Sequence, residues 1–261
     1  MSFVINSYAF VSEDPDAKAY LDAVEAVDTQ ALEAGVRKAV DDFVRGCKAD
    51  GIWSAIKASC ILAGARTLTG ALTPLVGSAP TNNNFVSGDY DREDGLVGNG
   101  STKYINSNRN NNTDPQNDQH MMVYVSQAGS LFPEAYMGAG GPASAGATHF
   151  GPNSNTNVFF ARSRSSSAFN HSTAPASATG AIGVSRASSS AYNLRVSGVT
   201  DSISNASQSP YNASVAIFWR TDGTGQSNAR LSFYSIGEAL DLADLDTRVS
   251  TLMTDLAAAI P

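Results

Sequence analysis

The sequence has little charge, few cysteines and few histidines. Of 261 residues, 16% are charged, and no lysine follows Lys103. Cys47 and Cys60 show no C-x-x-C spacing, and the three histidines stand far apart, which argues against a zinc site. No Gly-x-Ser-x-Gly motif is present, so a serine-nucleophile triad has no support. We expect no cofactor and no metal, and we interpret the cysteines as reduced core thiols, with a single disulfide as the alternative.

Long apolar runs and dense basic stripes are also missing. No run approaches the length of a membrane span, and the N-terminus lacks the basic and apolar regions of a signal peptide. The net charge is −7, the isoelectric point is about 4.9, and the arginines are spread out. A nucleic-acid-binding domain usually concentrates Lys and Arg on one face. We therefore expect neither membrane insertion nor nucleic-acid binding, and synthesis in a host cytoplasm.

The first segment, residues 3–11, is apolar and β-prone. It leads into an acidic break at residues 13–16. Such a strand either folds onto its own sheet or adds to the exposed edge of a neighbouring molecule. The candidate assembly arm, within a predicted N-terminal strand or arm at residues 1–15, comprises Phe3, Val4, Ile5, Tyr8 and Phe10.

Helical spacing follows from Asp16 and returns at the end of the chain. We predict helices within residues 16–60, with Thr29 as the N-cap of the second helix and a short helix at residues 52–57. A packed connector is expected over 61–78. Residues 238–260 carry an amphipathic stripe that predicts a C-terminal helix, either packed on a sheet or trimerising.

Short strand candidates lie between the helical ends. They are Asn84–Tyr90, Thr102–Ser107, His120–Ser126, Val158–Ser163, Ala181–Ala187, Ala191–Val196, Ser214–Arg220 and Arg230–Ile236. Long loops rich in Gly, Ser and Asn are expected at 108–118, 137–157 and 164–180. About eight strands at this spacing predict a mainly β jelly-roll sandwich. We expect residues 16–261, helices included, to form a single domain.

Several blocks carry a family resemblance. They are Asp41–Trp53 (DDFVRGCKADGIW), Phe85–Arg92 (FVSGDYDR), Gly95–Tyr104 (GLVGNGSTKY) and Arg230–Leu240 (RLSFYSIGEAL). Together they resemble a concanavalin A-like lectin/glucanase jelly-roll domain found in virion structural proteins of tailed bacteriophages, including marine phages and cyanophages. The resemblance covers roughly residues 14–256. It implies a virion component on tail fibre, baseplate or capsid, and it brings no set of catalytic residues.

The acidic run Asp89–Asp94 is the one segment that suggests an enzyme. On a strand, Asp89, Asp91 and Glu93 would share a face, as the carboxylates of jelly-roll glucanases do. The first position is Asp where that pattern has Glu, and Gly95 follows at once. The same run offers hard oxygen ligands for calcium but lacks the distal Glu of a complete EF-hand loop. We interpret it as a solvated surface turn and predict no catalysis.

Arginines and aromatics alternate along several strand candidates. We expect one sheet to present an Arg-and-aromatic face on which a glycan stacks and hydrogen-bonds. The alternative is an arginine ladder that only solvates the sheet, with Trp219 in the core. Candidate glycan or receptor contacts are Arg162, Arg164, Arg186, Arg195, Trp219 and Arg220, with Asn153 and Asn155 at a polar loop tip.

These observations lead to one preferred function and two alternatives. We predict a virion surface protein whose lectin-like domain adheres to host-surface glycan, as a homo-oligomer associated with other virion proteins. The first alternative is a protein that decorates or cements the capsid or baseplate. The second is a glycan depolymerase, which would need two buried carboxylates facing one groove.

Overall fold

A computed structural model describes residues 12–154, 158–171 and 177–261. Four helices and fifteen strands occur within these ranges. The helices are α1 (Pro15–Asp28), α2 (Ala34–Ala49), α3 (Leu68–Ala71) and α4 (Leu242–Ala259). The strands are β1 (Ile56–Ile61), β2 (Thr81–Asn83), β3 (Tyr90–Asp91), β4 (Gly95–Val97), β5 (Tyr104–Asn110), β6 (Gln119–Gln127), β7 (Met137–Ala139), β8 (Thr148–Ser154), β9 (Val158–Ser163), β10 (Phe169–His171), β11 (Gly180–Arg186), β12 (Ala191–Val196), β13 (Val199–Ser204), β14 (Ser214–Ile217) and β15 (Arg230–Gly237).

The strands form two antiparallel sheets. The first has the order β13-β12-β11-β6-β15-β4-β3, with β1 pairing the far half of β15 beyond β4. The second has the order β10-β9-β8-β7-β14-β5-β2. Alternate residues of the two sheets point inward and form one apolar core, to which Val123, Ile182, Phe150 and Ile217 contribute. The predicted mainly β sandwich is confirmed.

The helices form a third layer on the other face of the first sheet. Along β6, Val123 lies in the sandwich core, whereas Met122 packs with the helices. Apolar stripes of α1, α2 and α4 cover this face, with Leu21, Phe43 and Leu252 among the buried contacts. The first sheet is therefore apolar on both sides, whereas the side of the second sheet that faces away from the core is not covered by any of the helices in the described ranges.

Two helix predictions are wrong in detail. Thr29 does not cap the second helix: it ends α1 in the left-handed conformation (φ 55°), and α2 begins at Ala34 after Glu33. Asp28, which precedes Thr29, accepts hydrogen bonds from the backbone of Arg66 and Thr67. The predicted helix at 52–57 is only a 3-10 turn at 53–55, after which β1 begins. Nearly every side chain of β1 is buried because β1 lies between the sandwich core and the helices, and this removes the alternation that marks a strand.

The strand predictions fare better. Val158–Ser163 and Ala191–Val196 are confirmed to the residue. Asn84–Tyr90 is wrong, because a 3-10 turn occupies residues 87–89. The predicted loop 137–157 contains β7 and β8. The predicted strand Ser214–Arg220 ends at Ile217, because Phe218 has a positive φ of 69° that breaks the alternation.

Several other predictions can be placed. Cys47 and Cys60 are buried free thiols, and burial raises the pKa of each to about 12. The assembly arm lies outside the described residues, and the single-domain boundary at residue 16 stays a prediction. In the part of the chain that the structure describes, none of the helices combines the length and apolarity that a membrane span requires.

Candidate functional site

The side of the second sheet that faces away from the core carries one row of paired residues, and most of this row is buried. Successive cross-strand pairs join Thr81, Asn106, Ala216, Gly138, His149 and Arg162. Residues paired in this way project to the same side of a sheet. Their neighbours along the strands, such as Ile105 and Ile217, lie in the sandwich core. The row therefore faces away from the core, and we call this side the outer face of the second sheet.

An aromatic pair lies at one side of this outer face. The ring of Trp219 lies 4.5 Å from that of Tyr104, measured between centroids, with 47° between the planes. Both side chains are half-buried, so part of each ring is open to solvent. The positive φ of Phe218 produces this placement: Phe218 enters the core against Phe85, and the next residue emerges on the outside. We call Tyr104 and Trp219 the aromatic platform.

The indole Nε1 of Trp219 is buried and has no hydrogen-bond partner among the described residues. Two amide side chains share the face with Tyr104: Asn83, its cross-strand partner, and Asn106, two residues further along β5. The Asn106 side-chain oxygen accepts from the backbone N–H of Asn108, at 2.9 Å. The platform therefore combines two aromatic rings with neighbouring amides.

Arg220 extends the site across the sheet. It lies over the backbone at Gly138, with its guanidinium 6.0 Å from the ring centroid of Phe160. Its Nε donates to Asp222 at 3.1 Å, and its Nη2 donates to the Thr224 hydroxyl at 2.7 Å. The Arg220 side chain is 8% exposed and that of Asp222 is 22% exposed. The carboxylate and the hydroxyl thus form the accessible polar part of this group.

His149 lies beneath Arg220 and remains neutral. Its ring is 5.2 Å from that of Phe160, and Nδ1 lies 3.3 Å from the carbonyl oxygen of Gly140. Burial, together with the nearby Arg220 and Arg162 charges, lowers the pKa of His149 to about 3. The imidazole therefore supports the face as a neutral packing group.

Three of the five predicted arginines are not on an exposed face. Arg162, Arg164 and Arg186 are each 1% exposed or less, so the expectation that they line a solvent-facing surface is wrong. Their guanidinium groups turn to the loops at one end of the sandwich and donate to backbone carbonyls. The guanidinium group of Arg186, for example, donates to the carbonyl oxygens of four residues: Ser163, Ser188, Ala191 and Asn205. Burial lowers the pKa of all three, that of Arg164 to about 10.

The other predicted contacts are scattered. Arg195 lies on the helical side of the first sheet, where its Nε donates to Asp246 of α4 at 2.7 Å. Asn153 is half-buried at the far end of β8, with its amide 3.4 Å from Asn170. Asn155 lies outside the described residues. Of the predicted contacts, Trp219 and Arg220 thus belong to this site. Tyr104 was not predicted from the sequence, because its ring contact with Trp219 joins distant parts of the chain.

The acidic run does not form the glucanase-like array. The Asp91 carboxylate accepts from the backbone N–H groups of Asp94 and Glu93, and these bonds lower the pKa of Asp91. Asp89 is bound by Lys103 and by the backbone of Val86. The run is a self-capped turn, as the solvated-turn interpretation predicts. Over residues 12–154, 158–171 and 177–261, no cluster of three or more His, Cys, Asp or Glu side chains is placed to hold a metal ion.

Comparison with known proteins gives likeness of fold alone. No protein-family model matches the chain, and no curated protein matches it. Domain 4 of AbnA, a GH43 extracellular arabinanase from Geobacillus stearothermophilus solved with arabinotriose, is 14% identical, with a TM-score of 0.42 over 66% of this chain and 82% of that domain. The binding domains of botulinum neurotoxin serotypes D and C1 are each 9% identical, with TM-scores of 0.49 and 0.47 over 76% of this chain.

The chain spans about half the length of the two toxin domains, 51% and 52%. At these identities and TM-scores, none of the likenesses identifies a binding residue in this chain. The similar structures are β-sandwich domains, and they include a domain of an arabinanase, an arabinofuranosidase and neurotoxin binding domains.

Proposed function

We propose that this protein binds carbohydrate on the outer face of the second sheet, with the Tyr104–Trp219 platform as the stacking surface. The observation that carries the proposal is the half-buried indole of Trp219, which rests on the half-buried ring of Tyr104. A pyranose or furanose ring offers an apolar C–H face and a rim of hydroxyls. The platform offers the matching combination of an aromatic surface and hydrogen-bonding groups.

The neighbouring polar groups support the same class of ligand. Asn106, Asp222 and Thr224 can donate to or accept from hydroxyl groups, and Arg220 holds Asp222 and Thr224 in place. Net charge on this face is low, because the Arg220 cation is paired with Asp222. We therefore propose a neutral glycan as the ligand.

Binding without hydrolysis is part of the proposal. Retaining and inverting glycosidases use two carboxyl groups on either side of the scissile bond. Among the described residues, two carboxyl groups lie near this site: Asp222, which is paired with Arg220, and Glu134, which is fully buried and does not face a ligand. A glycan-cleavage assay on any glycan that binds tests this part, since release of reducing ends would overturn it.

The chain itself provides a fluorescent test. Trp53 and Trp219 are its two tryptophans, and Trp53 lies on the helical side, where its Nε1 donates to Asp16 at 3.1 Å. A Trp53→Phe variant leaves Trp219 as the single tryptophan. We expect glycan-array hits to quench or shift this emission saturably, and Trp219→Ala to abolish binding to the same array. Undiminished array binding by Trp219→Ala would overturn the proposed site.

The context we propose is a bacteriophage virion surface, with the domain adhering to host glycan from a tail fibre or similar appendage. This part rests on the sequence blocks Asp41–Trp53 and Arg230–Leu240 and on the homo-oligomer they lead us to expect. Antibody labelling of intact virions tests it. Signal on fibres or baseplate supports adhesion, signal spread over the capsid supports decoration, and absence from virions overturns both.

A further inference from the structure

Glu134 is a carboxyl group with an incomplete set of partners. It is 0% exposed, and its Oε2 accepts from the backbone N–H of Asn228 at 3.2 Å. Its Oε1 has no hydrogen-bond partner among the described residues. A buried carboxylate in this position is costly, because a charged oxygen without donors loses its hydration and gains nothing in return.

A second unsatisfied polar group lies two residues away. The hydroxyl of Tyr136 is also buried and also has no partner among the described residues. Gly129 lies against both: the Glu134 carboxyl group occupies the space where a Gly129 β-carbon would project, and the Gly129 backbone faces the Tyr136 hydroxyl. A side chain at residue 129 would displace the carboxyl group. The Glu134 carboxyl group therefore packs directly against the start of the loop 128–133, while residue 134 itself follows the end of that loop.

This loop carries exposed apolar side chains at its tip. Leu131 is 39% exposed and Phe132 is 38% exposed. Leu131 covers Gly100, and Ser130 is bonded to Asn228 through both its backbone and its hydroxyl. The loop is thus held by its neighbours at few points, of which the Glu134 carboxyl group is the buried one.

The loop borders the aromatic platform on two sides. Gly100, under Leu131, belongs to the turn that leads into Tyr104 on β5. The segment 134–136 holds the chain that carries Trp219: the Phe218 N–H donates to the Tyr136 carbonyl at 2.8 Å, and the Ala135 N–H donates to the Gly225 carbonyl at 2.7 Å. A displacement of segment 134–136 would therefore shift the platform.

Few charged groups face Glu134. Tyr136 lies with Glu134 on the segment before β7, Ser227 and Asn228 lie on the segment before β15, and Gly129 and Ser130 lie on the loop. No Lys, Arg or His of the described ranges lies within ion-pair distance of its carboxyl oxygens. Burial raises the pKa of Glu134 to about 7, and the Ser227 hydroxyl and the Asn228 N–H offset this rise only in part.

We propose that Glu134 is a positioning residue that holds the loop 128–133 against the platform only while its carboxyl group carries a proton. Loss of that proton places an unpaired charge in a buried site, and the loop opens to hydrate it. Carbohydrate binding is then stronger in mildly acidic than in mildly alkaline solution. This last consequence rests on the proposed function, whereas the movement of the loop does not.

Hydrogen exchange measured by mass spectrometry tests the loop directly. Protection factors of peptides covering 128–136 are compared at pH 5.5 and 8.5, corrected for intrinsic exchange, with the turn 187–190 as an internal reference. We expect protection at 128–136 to fall at least about fivefold at the higher pH in the unmodified protein. Glu134→Gln should remove this dependence, and Glu93→Gln, at an exposed carboxylate, should keep it.

If Glu134→Gln fails to fold, a measurement on the unmodified protein can still test whether Glu134 controls the loop. Carboxyl carbon NMR should show one glutamate that titrates near neutral pH together with the loss of loop protection. Loop protection that does not change with pH, or that changes equally in Glu134→Gln, would overturn the inference. If the loop responds to pH but no array glycan binds at either pH, the proposed function fails while the proton-linked loop stands.

Discussion

Trp219 rests on Tyr104 at a centroid distance of 4.5 Å, and this contact joins the segment after β14 to the start of β5. Each ring limits the motion of the other, so the exposed part of the pair is a fixed surface. A rigid aromatic surface binds a sugar ring with little loss of conformational entropy, since neither side chain needs to be ordered on binding. Two predictions concern this surface and the acidic turn.

Two substitutions of Tyr104 distinguish the contribution of its ring from that of its hydroxyl group. Tyr104→Ala removes the support beneath Trp219, and we expect glycan affinity to fall at least about tenfold, or ~1.4 kcal/mol. Tyr104→Phe keeps the ring, and its affinity should stay within about threefold. Titration of the Trp219 emission in the Trp53→Phe background measures both. Equal losses in the two variants would show that the hydroxyl, not the ring, carries the contact.

Calcium should have no effect on this protein. The Oδ1 atom of Asp91 already accepts from the backbone N–H groups of Glu93 and Asp94, and among the described residues no cluster of three or more His, Cys, Asp or Glu side chains is placed to hold a metal ion. We expect the thermal midpoint to be the same in excess chelator and in millimolar calcium. Substituting Asp91→Asn and Glu93→Gln together should leave glycan binding unchanged. A fall of the midpoint on chelation would reveal a metal site.

The fold was accessible from sequence where alternation survives. β9 and β12 each place one apolar face on the sandwich core, and their limits were predicted to the residue. β1 was not predicted as a strand because both of its faces are buried. β8 was not predicted because Gly151 and Pro152 are typical turn residues. Local pattern thus identified β12, in which buried and more exposed residues alternate, and also β9, whose residues 159–163 are all buried.

The site was only partly accessible for a related reason. The alternation of Arg162 and Arg164 with smaller residues fits an exposed ladder and a buried anchor equally well. Which of the two occurs depends on whether loops fold over the sheet end, and the carbonyls at Pro142 and Asn111 come from such loops. Likewise, no feature of the sequence around Tyr104 predicts that its ring contacts Trp219. Long-range pairing, not composition, makes the platform.

Global stability should depend on pH through Glu134. Its pKa rises from 4.5 to about 7 on folding, so the folded protein holds this proton more tightly than the unfolded chain does. The stabilisation of the folded state by this bound proton is therefore fully present below about pH 4.5 and is lost as the pH rises through about 7. Full loss amounts to about 3 kcal/mol of unfolding free energy. Urea unfolding between pH 4.5 and 8.5 measures it against Glu134→Gln, whose curve should lack this fall.

Local opening of the loop reduces that figure, because an opened loop hydrates the carboxylate without global unfolding. A fall smaller than 3 kcal/mol accompanied by loop exchange therefore agrees with the proton-linked loop. A fall of the same size in the unmodified protein and in Glu134→Gln would assign the pH dependence to other groups.

Arg186 should be among the most costly residues to replace. Its guanidinium is 0% exposed and donates to the carbonyl oxygens of Ser163, Ser188, Ala191 and Asn205, so it ties three loops to the end of β11. Lysine keeps the charge but has a single donor centre, which cannot reach all four oxygens. The unpaired carbonyls remain buried, and we expect Arg186→Lys to lower the unfolding free energy by about 2–4 kcal/mol. Arg195→Lys is the matched control: Arg195 is also mostly buried, but its partner is the Asp246 carboxylate, with which lysine can keep an ion pair, so its cost should be smaller than that of Arg186→Lys. Urea unfolding of the two variants at one pH measures both losses of unfolding free energy. Equal losses would show that the carbonyl contacts of Arg186 contribute nothing beyond its charge.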